Sequence, residues 1–428
     1  MQSAKKFTIR RFPKLSRWIF SEDEVDHAAT HNGLHKFALG LNKRLAHDAG
    51  RSGNLVYSPL SVYAALSLVA AGARERTLHE LLGVLGAPSR DVLADHVGVL
   101  ATHALADQSD AGGPRVSFAC GVWHDRTLPL RAAFRDAAAR SYKAVTRAVN
   151  FHQKPEEARK QINAWVAAST NDLIPSILGP GALTPLTDLV LANAIYFKGR
   201  WEEPFHKKHT KDDKFHCLDG THVDVPFMRG FGSQLVACHD GFKVLQLRYE
   251  QGRPLPAQPT PVYSMCVFLP DARDGLWRLT DKIASSNTDF LQKHLPKSTL
   301  DVGDFRLPKF KLSFGMDMTD LLRQSGLKEV FDLGKADLSD MVPEEEGAVG
   351  RRRLALQQVI HKAIIEVNEE GTEAAAVTAV TTEGCSRYSP PPPPPVDFVA
   401  DHPFAFFVIE EVSGVILFAG HVVDPSKE

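Results

Sequence analysis

The chain has 428 residues and a formal net charge of -1, with 43% hydrophobic and 24% charged side chains. A charge this close to zero removes the electrostatic case for nucleic acid, and no run of 18 or more apolar residues offers a membrane-spanning helix. Length alone suggests two or three domains, but no linker divides the chain before the Pro-rich run Pro390–Pro395, so one large α+β domain with a sizeable core is expected.

The first 20 residues carry Lys5, Lys6, Arg10, Arg11, Lys14 and Arg17 ahead of the first acid, Glu22. With no apolar segment behind them they read as a disordered basic extension over 1–25, not a secretory signal. An organelle transit peptide or a membrane-surface segment is the alternative. The folded domain is expected over 26–428. Leu34, Phe37, Ala38, Leu41 and Leu45 form a helical stripe within 31–48. A second helix is expected over 58–72, with Ser58 or Pro59 at its start. Shorter helices follow near 77–85 and 91–107. Segment 115–124 alternates as a strand, and helices near 131–142 and 155–171 precede a nearly continuous apolar run over 187–198. Such a run suits a strand buried on both faces. Strands are expected at 242–249, 262–269, 304–314 and 355–367, and helices near 275–284 and 317–325. The C-terminal 403–423 reads as a hairpin turning at Gly414.

Five cysteines, Cys120, Cys217, Cys238, Cys266 and Cys385, are an odd, sparse set that does not make a disulfide framework. No Asn-x-Ser/Thr acceptor occurs either. Both observations point to a reducing compartment, cytosolic or nucleocytoplasmic, with the extracellular space or an organelle as the alternative. The chain lacks H-E-x-x-H, G-x-S-x-G, P-loop and G-x-G-x-x-G motifs, so an enzyme is not expected. His206, His209, His216 and Cys217 match no standard metal spacing. No metal and no cofactor are expected.

The segment 372–382 is small, β-branched and free of proline. With a strand period of two, Thr372, Ala374, Ala376, Thr378, Val380 and Thr382 share one face, and Glu373 falls on the other. The first face carries no charge whose burial would cost several kcal/mol. Gly371, just before, supplies a pivot. Glu369-Glu370-Gly371-Thr372-Glu373-Ala374-Ala375-Ala376 resembles the hinge of an inhibitory serpin, plant type in particular. Ser58-Pro59-Leu60-Ser61, Asn193 to Trp201, His361-Lys362-Ala363, Asp401-His402-Pro403-Phe404 and Gly420 to Pro425 resemble further blocks of that family, in serpin order over about 30–425.

The resemblance implies a fold of about three β-sheets with eight or nine helices, and an exposed reactive-centre loop over about 369–396. It implies a monomeric suicide inhibitor whose partner is a protease, of the serine class first. Inhibition of papain-like or caspase-type cysteine proteases, or a non-inhibitory storage, chaperone or binding role, are the alternatives. It also implies that Ser58, Ser61, Asn193 and His361 form a polar cluster where the main sheet opens. Trp201, Lys309 and Glu369 would meet where the loop inserts, with Lys309 and Glu369 as an ion pair. The scissile bond is open between two counts. Counting forward from Gly371 reaches Cys385–Ser386; counting back from Asp397 reaches Arg387–Tyr388. The first is preferred because insertion depends on hinge length. The proline run Pro390–Pro395 should be a stiff polyproline II rod.

Overall fold

The computed structural model describes residues 24–48, 53–253, 260–343, 354–371 and 394–428. The basic extension up to residue 23, the hinge residues Thr372, Glu373, Ala374, Ala375 and Ala376, both candidate scissile bonds (Cys385–Ser386 and Arg387–Tyr388) and most of the proline run therefore lie outside the described residues.

Three sheets and, among the described residues, nine α-helices make an α+β fold. The central sheet has five strands in the order Phe310–Asp317, Gln358–Val367, Leu189–Lys198, Arg115–Asp125 and Val145–Val149. Gln358–Val367 and Leu189–Lys198 run parallel, in register from Gln358↔Val190 to Ile365↔Phe197. A six-stranded sheet is built around the C-terminal hairpin Phe404–Glu410 and Ile416–Val422. The third sheet runs Val396–Val399, Leu300–Pro308, His222–Arg229, Lys211–His216.

Helix Pro59–Gly72 is threaded through the main core beneath the central sheet, with nearly every residue buried. Its start follows from local chemistry. Ser58 adopts an extended backbone and its hydroxyl accepts the Ser61 N–H, while proline at the first turn has no N–H to leave unpaired. A second apolar layer lies on the opposite face of the central sheet, under helix Pro155–Ser169. There Trp123 and Trp165 meet edge-on at 5.5 Å, and Ile360 and Ile364 of the loop-bearing strand join them.

The expected element boundaries need three corrections. The first helix begins at Glu24, ahead of the apolar stripe and two residues inside the expected extension. The fourth helix ends at Thr102, short of residue 107, where the chain turns. The strand expected over 304–314 is two strands in different sheets, Leu300–Pro308 and Phe310–Asp317. Inward positions switch from odd (Phe305, Leu307) to even (Phe310, Leu312), and Lys309 marks the crossing between sheets.

Candidate functional site

Two clusters lie along the parallel seam of the central sheet. The lower one joins the two strands to the start of the buried helix. His361 and Asn193 are partners in the parallel register, and both side chains are buried. The Ser58 N–H donates to His361 Nε2 at 3.1 Å. That nitrogen must therefore offer its lone pair, so Nδ1 carries the proton and donates to Asn193 Oδ1 at 2.8 Å. Ser61 Oγ donates to the same Asn193 oxygen at 2.8 Å, and Asn193 Nδ2 donates to the Ser61 carbonyl at 3.2 Å. Ser58, Ser61, Asn193 and His361 thus meet in one network. Burial pushes the His361 imidazole down to about 3, so it is neutral near pH 7. Cys120, opposite Asn193 on the next strand, is a neighbour that sequence reasoning missed. Burial pushes its thiol up to about 12, with an Asn193 hydrogen bond opposing the shift.

The upper cluster surrounds the loop root. Asn368 and Gly371 exchange backbone hydrogen bonds at 3.3 and 3.2 Å, closing a turn beyond the end of the seam. Gly371 has φ +98°, and a Cβ there would run into the Gly199 carbonyl and the Arg200 and Trp201 backbone. Only glycine fits this turn without strain. Trp201, itself buried against Tyr249 with ring centroids 4.4 Å apart, donates Nε1–H to the Asn368 carbonyl at 2.9 Å. Its backbone N–H donates to the Glu370 carbonyl at 3.0 Å.

Glu369 is held on every side. Its carboxylate accepts from Thr210 Oγ1 at 2.8 Å and pairs with Lys309 Nζ at 2.9 Å. Its carbonyl accepts the Phe205 N–H at 2.7 Å. Burial raises the carboxyl's pKa, but the hydrogen bonds from Lys309 and Thr210 and the lysine's charge outweigh it and hold the group below the usual carboxylate range. Glu370 pairs with Lys207 at 2.7 Å. Trp201, Lys309 and Glu369 therefore converge, and Thr210, Lys207 and Asn368 join them. These three gave no signal in the sequence, because polar side chains on a surface segment look alike until the register is known. A cavity of about 510 Å³ beside the root is lined by Lys207, Lys309, Glu369 and Glu370 among others. No group of three or more His, Cys, Asp or Glu side chains among the described residues could hold a metal ion.

The model of the family described as Serpin (serine protease inhibitor) matches residues 32–425. The chain is 50% identical to Serpin-Z2A of Oryza sativa subsp. japonica, over 94% of this chain and 99% of that protein. It is 45% identical to Serpin-ZX of Hordeum vulgare, over 91% of this chain and 96% of that protein. Its fold is similar to the native stressed conformation of Arabidopsis AtSerpin1, with a TM-score of 0.84, 37% identity, and coverage of 94% of this chain and 100% of that one. The chain belongs to the serpin family of protease inhibitors, as a plant serpin-Z-like member.

Proposed function

We propose that the chain inhibits a serine protease as a suicide substrate. The protease's serine hydroxyl attacks the carbonyl of the scissile bond and releases the following residue as a free amine, leaving an acyl ester. The severed loop, still joined to Gln358–Val367, then inserts as a new strand. One observation carries this reading: the loop-bearing strand pairs in parallel with Leu189–Lys198 while the chain turns out of the sheet at Asn368–Gly371. A strand inserted between these two, folding back at Gly371, would be antiparallel to both and would exchange one ladder for two.

Ordering about 14 loop residues costs about 15–25 kcal/mol of backbone entropy. Insertion must exceed this through hydrogen bonds and burial, which is why the small, uncharged face from Thr372 to Thr382 matters. Insertion also has to break the His361–Asn193 bond across the seam, so Ser58, Ser61, Asn193 and His361 would govern sheet opening. Trp201, Lys309 and Glu369 would govern release of the loop root. The likeness to a structure in the native stressed conformation supports stored strain as the driving force. The test is incubation with trypsin, an elastase and a papain-like protease, followed by denaturing gels and mass spectrometry of the released C-terminal peptide. A denaturant-resistant complex is expected, with the peptide beginning at Ser386 or Tyr388. Cleavage by these enzymes without any complex would favour the non-inhibitory role.

A further inference from the structure

The parallel ladder of the central sheet starts at Gln358↔Val190. One residue below it, Gln357 ties the same two segments through both its backbone and its side chain. Its N–H donates to the Leu189 carbonyl at 3.1 Å. Its Oε1 accepts the Asp188 N–H at 3.3 Å and the Leu189 N–H at 2.7 Å. An amide oxygen has two lone pairs, so one glutamine serves both donors.

Both sides of this tie are braced. The Asp188 carboxylate meets His152 Nε2 at 2.8 Å, and the Asp188 carbonyl accepts the Asp125 N–H at 2.8 Å. Asp125 is itself buried and its carboxylate accepts the Phe151 and His152 N–H groups. Across the seam, the Leu356 N–H donates to the Val330 carbonyl at 2.9 Å and the Val359 N–H to Thr319 Oγ1 at 3.1 Å. Neither side can drift to follow the other, so parting the strands at this level breaks the bonds of Gln357.

The turn at the loop root sets what Gln357 would face. Asn368 and Gly371 pair as an antiparallel bridge. A strand that folded back from this bridge would advance one residue for each step down the loop-bearing strand. Thr372 would then pair with Val367, Thr381 with Gln358, and Thr382 with Gln357. Residues 372–381 would fill the seam above Gln357, and the small, uncharged run that ends at Thr382, just before Glu383, ends at its level.

We propose that Gln357 is a positioning residue for the last step of insertion. It holds the distal end of the seam together while residues 372–381 pair, and gives up its two N–H donors only when Thr382 arrives. This rests on the inhibitor reading above. A severed loop that stalls at Gln357 leaves its end outside the sheet, where water can hydrolyse the acyl ester and free the protease. Gln357 thereby sets the share of attacks that end in trapping, from the end of the sheet opposite the loop root.

The test adds fluorescently labelled synthetic peptides of residues 372–381 and 372–384 to the full native chain, to Gln357→Ala and to Gln357→Glu, and follows annealing by anisotropy. The longer peptide should anneal about tenfold faster to Gln357→Ala than to the native chain, the factor that about one hydrogen bond supplies. The shorter peptide, which stops above Gln357, should anneal to both at the same rate. Gln357→Glu, whose carboxylate can accept both N–H groups, should return the longer peptide to the native rate or below it. Equal rates of the longer peptide on the native chain and Gln357→Ala, or equal acceleration of both peptides, would overturn the role of Gln357 while leaving insertion intact. Failure of both peptides to anneal to any of the three proteins would overturn insertion itself, and the role of Gln357 with it.

Discussion

His361 Nδ1 donates to Asn193 Oδ1 at 2.8 Å across two parallel strands, while the Ser58 N–H fills the other ring nitrogen. The imidazole is therefore wedged into the seam that an inserting loop would open, and it is bonded on both sides. Replacing Asn193 with Ala removes the acceptor for both His361 and Ser61. The native form should lose about 2–3 kcal/mol. Its unfolding midpoint should fall by several degrees, and the sheet should open more readily, read as faster spontaneous loss of inhibitory capacity at raised temperature.

Lys309→Met should expose the dependence of Glu369 on its partner. The carboxylate is buried, whereas the lysine is partly exposed. The loss at neutral pH should accordingly be about 1–3 kcal/mol, less than for a fully buried pair. In the native chain the carboxyl is held below its ordinary range, so the pair stabilises the fold above that range and loses its effect as pH falls through it. The deficit of the variant should shrink when both proteins are unfolded near pH 4, as measured by denaturant titration at the two pH values.

Gly371→Val should disturb the loop root. The side chain would need φ near +98° and would meet the Gly199, Arg200 and Trp201 backbone. A cost of about 1–3 kcal/mol is expected. The number of inhibitor molecules consumed per protease inactivated should also rise, measured by titrating a fixed amount of protease.

Three buried imidazoles make the fold sensitive to mild acid. Burial pushes His361 down to about 3. Burial, then the neighbouring His31, pushes His35 down to about 4. Burial, then the neighbouring His31, His27 and His35, pushes His96 down to about 3. The unfolded chain takes up these protons near pH 6.5 while the folded chain resists. Stability is thus fully present above about 6.5 and declines as pH falls towards these values, by up to about 1.4 kcal/mol per pH unit for each group. Unfolding midpoints should fall between pH 7 and 5, before the carboxylates titrate, and His96→Gln should flatten that slope.

Much of this arrangement was legible in the sequence, and what was missed has physical reasons. The continuous apolar run at 187–198 and the Ser58-Pro59 start are governed by burial and capping, which act locally. The strands Lys211–His216 and His222–Arg229 went unread because charges and a proline interrupt their alternation; only Phe215, Val225, Phe227 and Met228 are buried. The part of the first helix before residue 31 has no apolar stripe, since the buried position among residues 26–30 is Thr30. The crossing at Lys309 was masked because a change of phase looks like continued alternation over a short window. Thr210 and Asn368 could be found only once the strands were paired, for their partners lie more than 150 residues away in sequence.

The central claim, that the severed loop becomes a strand of the central sheet, is tested most directly by nicking the loop and heating the product. Limited digestion with a protease that cuts within the loop but forms no denaturant-resistant complex should yield a two-chain protein. Its unfolding midpoint should lie well above that of the intact chain, because the parallel seam has been exchanged for two antiparallel ladders. A nicked protein that unfolds at the same temperature as the intact one would contradict insertion.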